Sequence, residues 1–136
     1  MVIHKVLDEV FSTWSNVAVL RVLNHHALGL SGREVSRLAG MSPKNCMITL
    51  TGLENLGLAN RIRGGRDHLF TLNREHFLVK EAIAQLFNTE ERFKEAIYAD
   101  IKKGLSKLCN SIYVFGSVAR REEDIDIDLD LCIIYD

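Results

Sequence analysis

The stretch SGREVSRLAGMSPKNCMITLTGLENLGLANRIRGGRDHLFTL, residues 31–72, carries more folding instruction than any other part of the 136-residue chain. It opens on Ser31-Gly32-Arg33-Glu34. A Ser followed three residues later by Glu lets each side chain satisfy a backbone N–H at a helix start. The spacing predicts a helix through Val35, Leu38 and Ala39, closed by Gly40. Ser42-Pro43 announces the next helix, with Ser as N-cap and Pro at the first helical position. That helix runs through Leu50 and Leu53 to Leu56. Beyond Gly57-Leu58, residues 59–63, the turn Gly64-Gly65 and residues 67–72 read as a β-hairpin.

Working outward, Val17, Leu20, Val22 and Leu23 recur near helical spacing, which predicts a helix over residues 16–26 with Ser15 as N-cap. Three short helices and a hairpin make a winged helix-turn-helix. Residues 31–72 resemble the DNA-binding domains of arsenical-resistance-type and related prokaryotic regulators. The resemblance implies that the helix after Ser42 enters the major groove and that the hairpin touches phosphates. Its exposed face is expected to carry Lys44, Asn45, Ile48 and Thr49, and the wing adds Arg61, Arg63, Arg66 and His68. Lys44, Asn45, Thr49, Arg61, Arg63 and Arg66 are the expected DNA contacts. One charge on the reading helix is poor in Arg for base recognition. A dimerisation or protein-docking module is the alternative use of the same fold.

The second informative stretch is Ile112-Tyr113-Val114-Phe115-Gly116-Ser117-Val118-Ala119-Arg120, followed by Asp128-Leu129-Asp130-Leu131-Cys132-Ile133-Ile134. An apolar run stops at Gly-Ser, and an acid-x-acid pair begins twelve residues past Gly116. Residues two apart share a strand face, so Asp124, Asp126, Asp128 and Asp130 are expected on one side. Ile125, Ile127, Leu129 and Leu131 are expected on the other, against a core. Carboxylates this close repel, and a hard divalent cation removes that cost.

This stretch resembles the signature of the DNA polymerase beta-like nucleotidyltransferases, above all their minimal prokaryotic members. The resemblance makes Asp128 and Asp130 the catalytic pair and the ligands of Mg²⁺ or Mn²⁺, and makes Gly116, Ser117 and Arg120 nucleotide-binding. It implies transfer of a nucleoside monophosphate from an NTP to a hydroxyl. The acceptor could be a protein such as a partner toxin. Two positions depart from the family pattern: Arg121 replaces a glycine, and Ile127 replaces a serine. A slipped register would make Asp126 and Asp128 the pair instead. Family enzymes also use a third carboxylate from a later strand, and the chain stops at Asp136. The expectation is a fragment, or a domain without its catalytic half, and no turnover from this chain as it stands.

The fold expected is α+β: a winged helix-turn-helix over 1–76, a connecting helix over 77–88, and the N-terminal part of a nucleotidyltransferase domain, its first helix and strands, over 89–136. Phe77 to Phe87 and Glu90 to Leu108 read as two helices broken at Asn88 and Thr89. Apolar stripes of Val79, Ile83 and Phe87, and of Phe93, Ile97, Ile101, Leu105 and Leu108, point to packing. The order of modules resembles prokaryotic proteins in which the two are fused.

Charge divides with the modules. Residues 1–77 hold nine Lys/Arg against six acids, net +3; the rest hold eight against twelve, net −4. A mildly basic half and an acidic half suit a nucleic-acid contact joined to a metal site. The absence of a long apolar run or signal-peptide pattern predicts a cytoplasmic protein without membrane contact. Cys46, Cys109 and Cys132 read as buried reduced thiols, His25-His26 as a structural pair, and Trp14 with Phe11 as packing, within the chain or across a dimer; a homodimer is expected. Two function classes stand: a nucleotidyltransferase, and a DNA-binding regulator whose nucleotidyltransferase part is nucleotide-sensing or non-catalytic.

Overall fold

The computed structural model describes residues 1–126 and 128–135. The chain divides into two compact units, Met1–Thr89 and Glu90–Asp136. The first unit contains α1 (Val6–Val10), α2 (Trp14–His25), β1 (Leu30–Ser31), α3 (Gly32–Ala39), α4 (Pro43–Asn55), β2 (Ala59–Gly64) and β3 (Asp67–Leu72). A helix starting at Phe77 follows, π-helical over Val79–Ile83 and continuing as α5 (Ala84–Leu105). The second unit takes the rest of α5, then β4 (Ser111–Phe115), α6 (Gly116–Arg120) and β5 (Asp130–Ile134). No helix among the described residues is long and apolar enough to cross a membrane.

Local signals set the helix starts. The Ser31 hydroxyl accepts from the Glu34 N–H at 3.3 Å, and the Glu34 carboxylate accepts from the Ser31 N–H at 2.7 Å. Ser42 caps α4 from the side of Pro43, its hydroxyl accepting from Asn45 N–H at 3.3 Å. For α2 the cap is Thr13, not Ser15: the Thr13 hydroxyl accepts from Asn16 N–H at 3.2 Å, and the helix starts two residues earlier than its apolar pattern suggested.

The sheet of the first unit has the order β1-β3-β2, all antiparallel. Gly64 pairs with Asp67, so the hairpin loop is Gly65-Arg66, one residue later than the expected Gly64-Gly65 turn. Gly65 takes φ +64, a conformation open to glycine at the first position of a two-residue hairpin loop. The short β1 matters because Leu30 lies opposite Phe70 and ties the helical part to the wing. The core gathers Leu20, Leu23, Val35, Leu50, Leu53 and Phe70, all essentially inaccessible to water.

The expected break at Asn88 and Thr89 is absent. Asn88 sits inside the continuous helix, where its Oδ1 accepts from Asn24 Nδ2 at 2.9 Å. A tertiary hydrogen bond to α2 outweighs the weak local preference of Asn for a cap. A π turn is closed by Ala84 N–H on the Val79 carbonyl, and Val79, Ile83 and Phe87, four residues apart on one helix face, are all buried.

Removing the cap hydroxyl by Ser31→Ala is expected to destabilise the first unit by about 1 kcal/mol, read from urea unfolding. The same bonds give a pH signature. Backbone and side-chain hydrogen bonds from Ser31 hold the Glu34 carboxyl below its ordinary range. A group whose folded pKa is depressed contributes stability above its unfolded pKa and loses it as pH falls through the lowered folded value. Unfolding midpoints of the parent should therefore drop over that acid window more steeply than those of Glu34→Gln. Equal slopes would refute the coupling.

Candidate functional site

Two places carry site residues, one in each unit. In the first, α4 turns Cys46, Thr49, Leu50 and Leu53 inward at helical spacing. Thr49 is only 8% exposed, which corrects its expected place on the outer face. The outer stripe is Lys44, Ile48, Thr51 and Asn55, with Asn45 beside it, all exposed. Thr51 and Asn55 went unnoticed in the sequence, although they fall seven and eleven positions after Lys44 on the same helical period. Asn45, Ile48 and Asn55 of this face, with Thr49 and Gly52, line a groove of about 1170 Å³ that Met1, Val2 and Ile3 also line.

The wing presents its cations unequally. Arg63 and Arg66 are exposed; Arg63 stands opposite His68 across the hairpin, and Arg66 occupies the loop. Arg61 is differently placed. Its Nη2 lies 2.8 Å from Glu54 Oε2, its Nε donates to the same oxygen at 3.0 Å, and its Nη2 donates to Thr51 Oγ1 at 3.2 Å. Its guanidinium carbon stands 5.0 Å from the Phe70 ring centroid.

In the second unit, β4 and β5 pair antiparallel with Phe115 opposite Asp130. Gly116 takes φ +75, and a Cβ added there would overlap the Asp130 carboxylate. The structure thus brings the Gly-Ser turn and Asp130 together. It does not extend the strand back to Asp124. The partner strand ends at Phe115 where Gly116 turns the chain, so pairing stops at Asp130. Asp124 and Asp128 lie outside regular structure and Asp126 lies in a turn, which corrects the expected four-carboxylate strand face. The Asp124 carboxylate instead accepts from the Ile125 N–H at 2.7 Å, a local bond that competes with strand pairing. Ile125, expected against a core, is 93% exposed. Ile127 falls outside the described residues.

Within β5 the alternation holds: Leu131 and Ile133 are half-buried, Cys132 and Ile134 exposed. Cys132 is therefore not the buried thiol expected, and Cys109 is only half-buried. Ser117 is half-buried and its carbonyl accepts from Glu122 N–H at 2.9 Å. Arg120 pairs with Glu122 at 2.8 Å on an exposed surface. Arg121, where the family resemblance has glycine, takes the left-handed φ of 58. The departure in sequence thus falls on a backbone conformation that suits glycine.

No protein-family model matches the chain, and no curated protein does. Solved structures do. The predicted DNA-binding transcriptional regulator from E. coli is similar at 24% identity over 62% of this chain and 85% of that one, with TM-score 0.53. MepR, a transcription regulator of the Staphylococcus aureus multidrug efflux pump MepA, is similar at 21% identity over 76% and 85%, with TM-score 0.52. The S. aureus MepR–DNA complex gives 22% identity over 76% and 89%, with TM-score 0.50. The chain has the winged helix-turn-helix fold. At these identities the likeness speaks for the fold of the chain and not for its ligands.

Opposite effects are expected from two substitutions in the second unit. Arg121→Gly should stabilise it by up to about 1 kcal/mol, because glycine removes left-handed strain. Gly116→Ala should cost about 2 kcal/mol, combining that strain with overlap at Asp130. Hydrogen exchange of the β4 and β5 amides against urea reads both; a stabilising Gly116→Ala would refute the Gly116–Asp130 packing.

Proposed function

We propose that the chain is a DNA-binding transcriptional regulator acting as a homodimer, with the Gly116–Asp130 element as its nucleotide-sensing part. The observation that carries this reading is the outer stripe of α4, whose Lys44, Asn45 and Ile48 are exposed beside a wing that exposes Arg63 and Arg66. A helix for the major groove and cations for the flanking phosphates are what a winged helix brings to a duplex. The fold it shares with the MepR–DNA complex supports the same use. The homodimer is supported by Leu7 on α1, Phe11 just past its end and Trp14 at the start of α2, three apolar side chains that are 50%, 38% and 63% exposed.

Phosphate contacts release counterions, so each adds about 0.9 to the slope of log affinity against log salt. Lys44→Ala and the pair Arg63→Ala with Arg66→Ala should each weaken binding to all duplexes and flatten that slope, read by fluorescence anisotropy. An unchanged slope in both variants overturns the DNA reading. Trp14→Glu should shift the sedimentation coefficient toward the monomer, and an unshifted value removes the α1–α2 face from the dimer.

For the second unit, the close approach of Gly116 to Asp130 supports binding of an NTP with Mg²⁺ or Mn²⁺. Among the described residues no three His, Cys, Asp or Glu side chains gather into a metal-holding group. The residues fit a cation that arrives with its nucleotide: Asp130 and Asp128 would supply carboxylate oxygens, and phosphates the remainder. A bound cation would supply charge neutralisation there. Ser117 and Arg120 would face the phosphates. The same approach favours a second reading, nucleotidyl transfer to a hydroxyl acceptor such as a partner protein. Millimolar Mg²⁺ with ATP, GTP, CTP or UTP should raise the melting temperature of the parent but not of Asp128→Asn with Asp130→Asn. Pyrophosphate release above blank would favour the transferase over the sensor.

A further inference from the structure

We infer that Arg61 is not a phosphate ligand but the positioning residue that fixes the wing against α4, with Glu54 as its obligatory counterpart. The inference deepens the DNA-binding reading and rests on it. Arg61 is the third residue of β2, at the root of the hairpin. Two of its nitrogens are committed to Glu54, one of them also to Thr51, and Phe70 covers the guanidinium. Its side chain is 27% exposed and that of Glu54 35%, so the pair is shielded from water more than a surface ion pair. Arg61 also lies opposite Phe70 in the strand register, and Phe70 is part of the core. One guanidinium therefore joins α4, β2, β3 and the core.

The consequence for recognition follows from register. Residues two apart on a strand share a face, so Arg63 extends from the same face as Arg61. Arg66 lies three residues further along, in the loop. Whatever fixes Arg61 fixes where both exposed cations stand relative to Lys44 and Asn45. The planar fork is suited to this and an ammonium is not, because only guanidinium can bridge one carboxylate through two nitrogens while stacking on a ring. Glu54 acquires an unusual role. An acid on the helix that meets DNA should oppose binding by charge, yet here it supports binding by holding the wing.

The test uses opposite signs. The probes are a duplex enriched from a randomised library by the parent protein and a scrambled duplex of the same composition. If Arg61 binds phosphate, Arg61→Ala lowers the salt slope by about one, Arg61→Lys preserves binding, and Glu54→Ala strengthens it. If Arg61 positions the wing, Arg61→Ala, Arg61→Lys and Glu54→Ala each lose about tenfold on the enriched duplex, less on the scrambled one, with the salt slope unchanged. The double variant should then be no worse than either single change. A loss of stability alone would not alter the ratio between duplexes at temperatures where the protein is folded. A DNA-free measurement separates this inference from the reading beneath it: amides of Ile62, Arg63 and His68 should exchange faster in Glu54→Ala and in Arg61→Ala alike. Unchanged exchange, or tighter binding by Glu54→Ala, overturns the inference. A parent that binds no duplex, with exchange still accelerated, overturns the regulator reading and upholds the clamp.

Discussion

Everything in the first unit hangs on the inner edge of α4. Cys46, Leu50 and Leu53 are fully buried, and each large apolar side chain placed there contributes about 2 kcal/mol. Their spacing leaves one rotational setting of the helix. Lys44, Asn45, Ile48 and Thr51 then have no choice but to face outward. Phe70 plays the matching part in the sheet, carrying β3 into the same core while Leu30 and Arg61 flank it in register. Core packing and surface chemistry are thus a single constraint seen from two sides of one helix.

The wing shows why a count of cations is a poor guide to an electrostatic surface. Three arginines within six residues look equivalent in the sequence. In the fold, one is neutralised by a carboxylate and two remain exposed. The effective charge offered to a polyanion is set by internal pairing before any ligand arrives. The Arg120–Glu122 pair in the second unit is a contrast: both side chains are more than 60% exposed, and screening by water leaves such a contact little weight.

Legibility followed the range of the interactions involved. Ser31 with Glu34, and Ser42 with Pro43, satisfy backbone groups within one turn, so their sequence spacing sufficed to locate α3 and α4. The choice of Thr13 over Ser15 was not legible, since both offer a hydroxyl and the start of α2 lies outside its apolar pattern. Asn88 looked like a break because its partner, Asn24, is 64 residues away. The alternation from Asp124 to Asp130 read as one strand because a period of two reports compatibility with pairing, not the length of the partner. Only the end of β4 at Phe115 determines where β5 begins. Thr49 was misplaced by one position of helical phase. The roles of Gly116 and Asp130 rested on a resemblance, and what the fold adds is their contact and the left-handed backbone at Arg121.

The three cysteines make a graded chemical series. Cys46 has no accessible surface, its thiol lies 3.7 Å from the Gly32 carbonyl oxygen, and burial pushes its pKa up. Cys109 is half-buried and donates to the Leu105 carbonyl at 3.2 Å, whereas Cys132 is exposed. Maleimide or iodoacetamide therefore meets one ready thiol in the folded protein and two that are hindered to different degrees. A fluorophore placed on Cys132 would report from β5. Delayed alkylation of Cys46 would time the opening of the winged-helix core, so the molecule carries its own handle and its own clock.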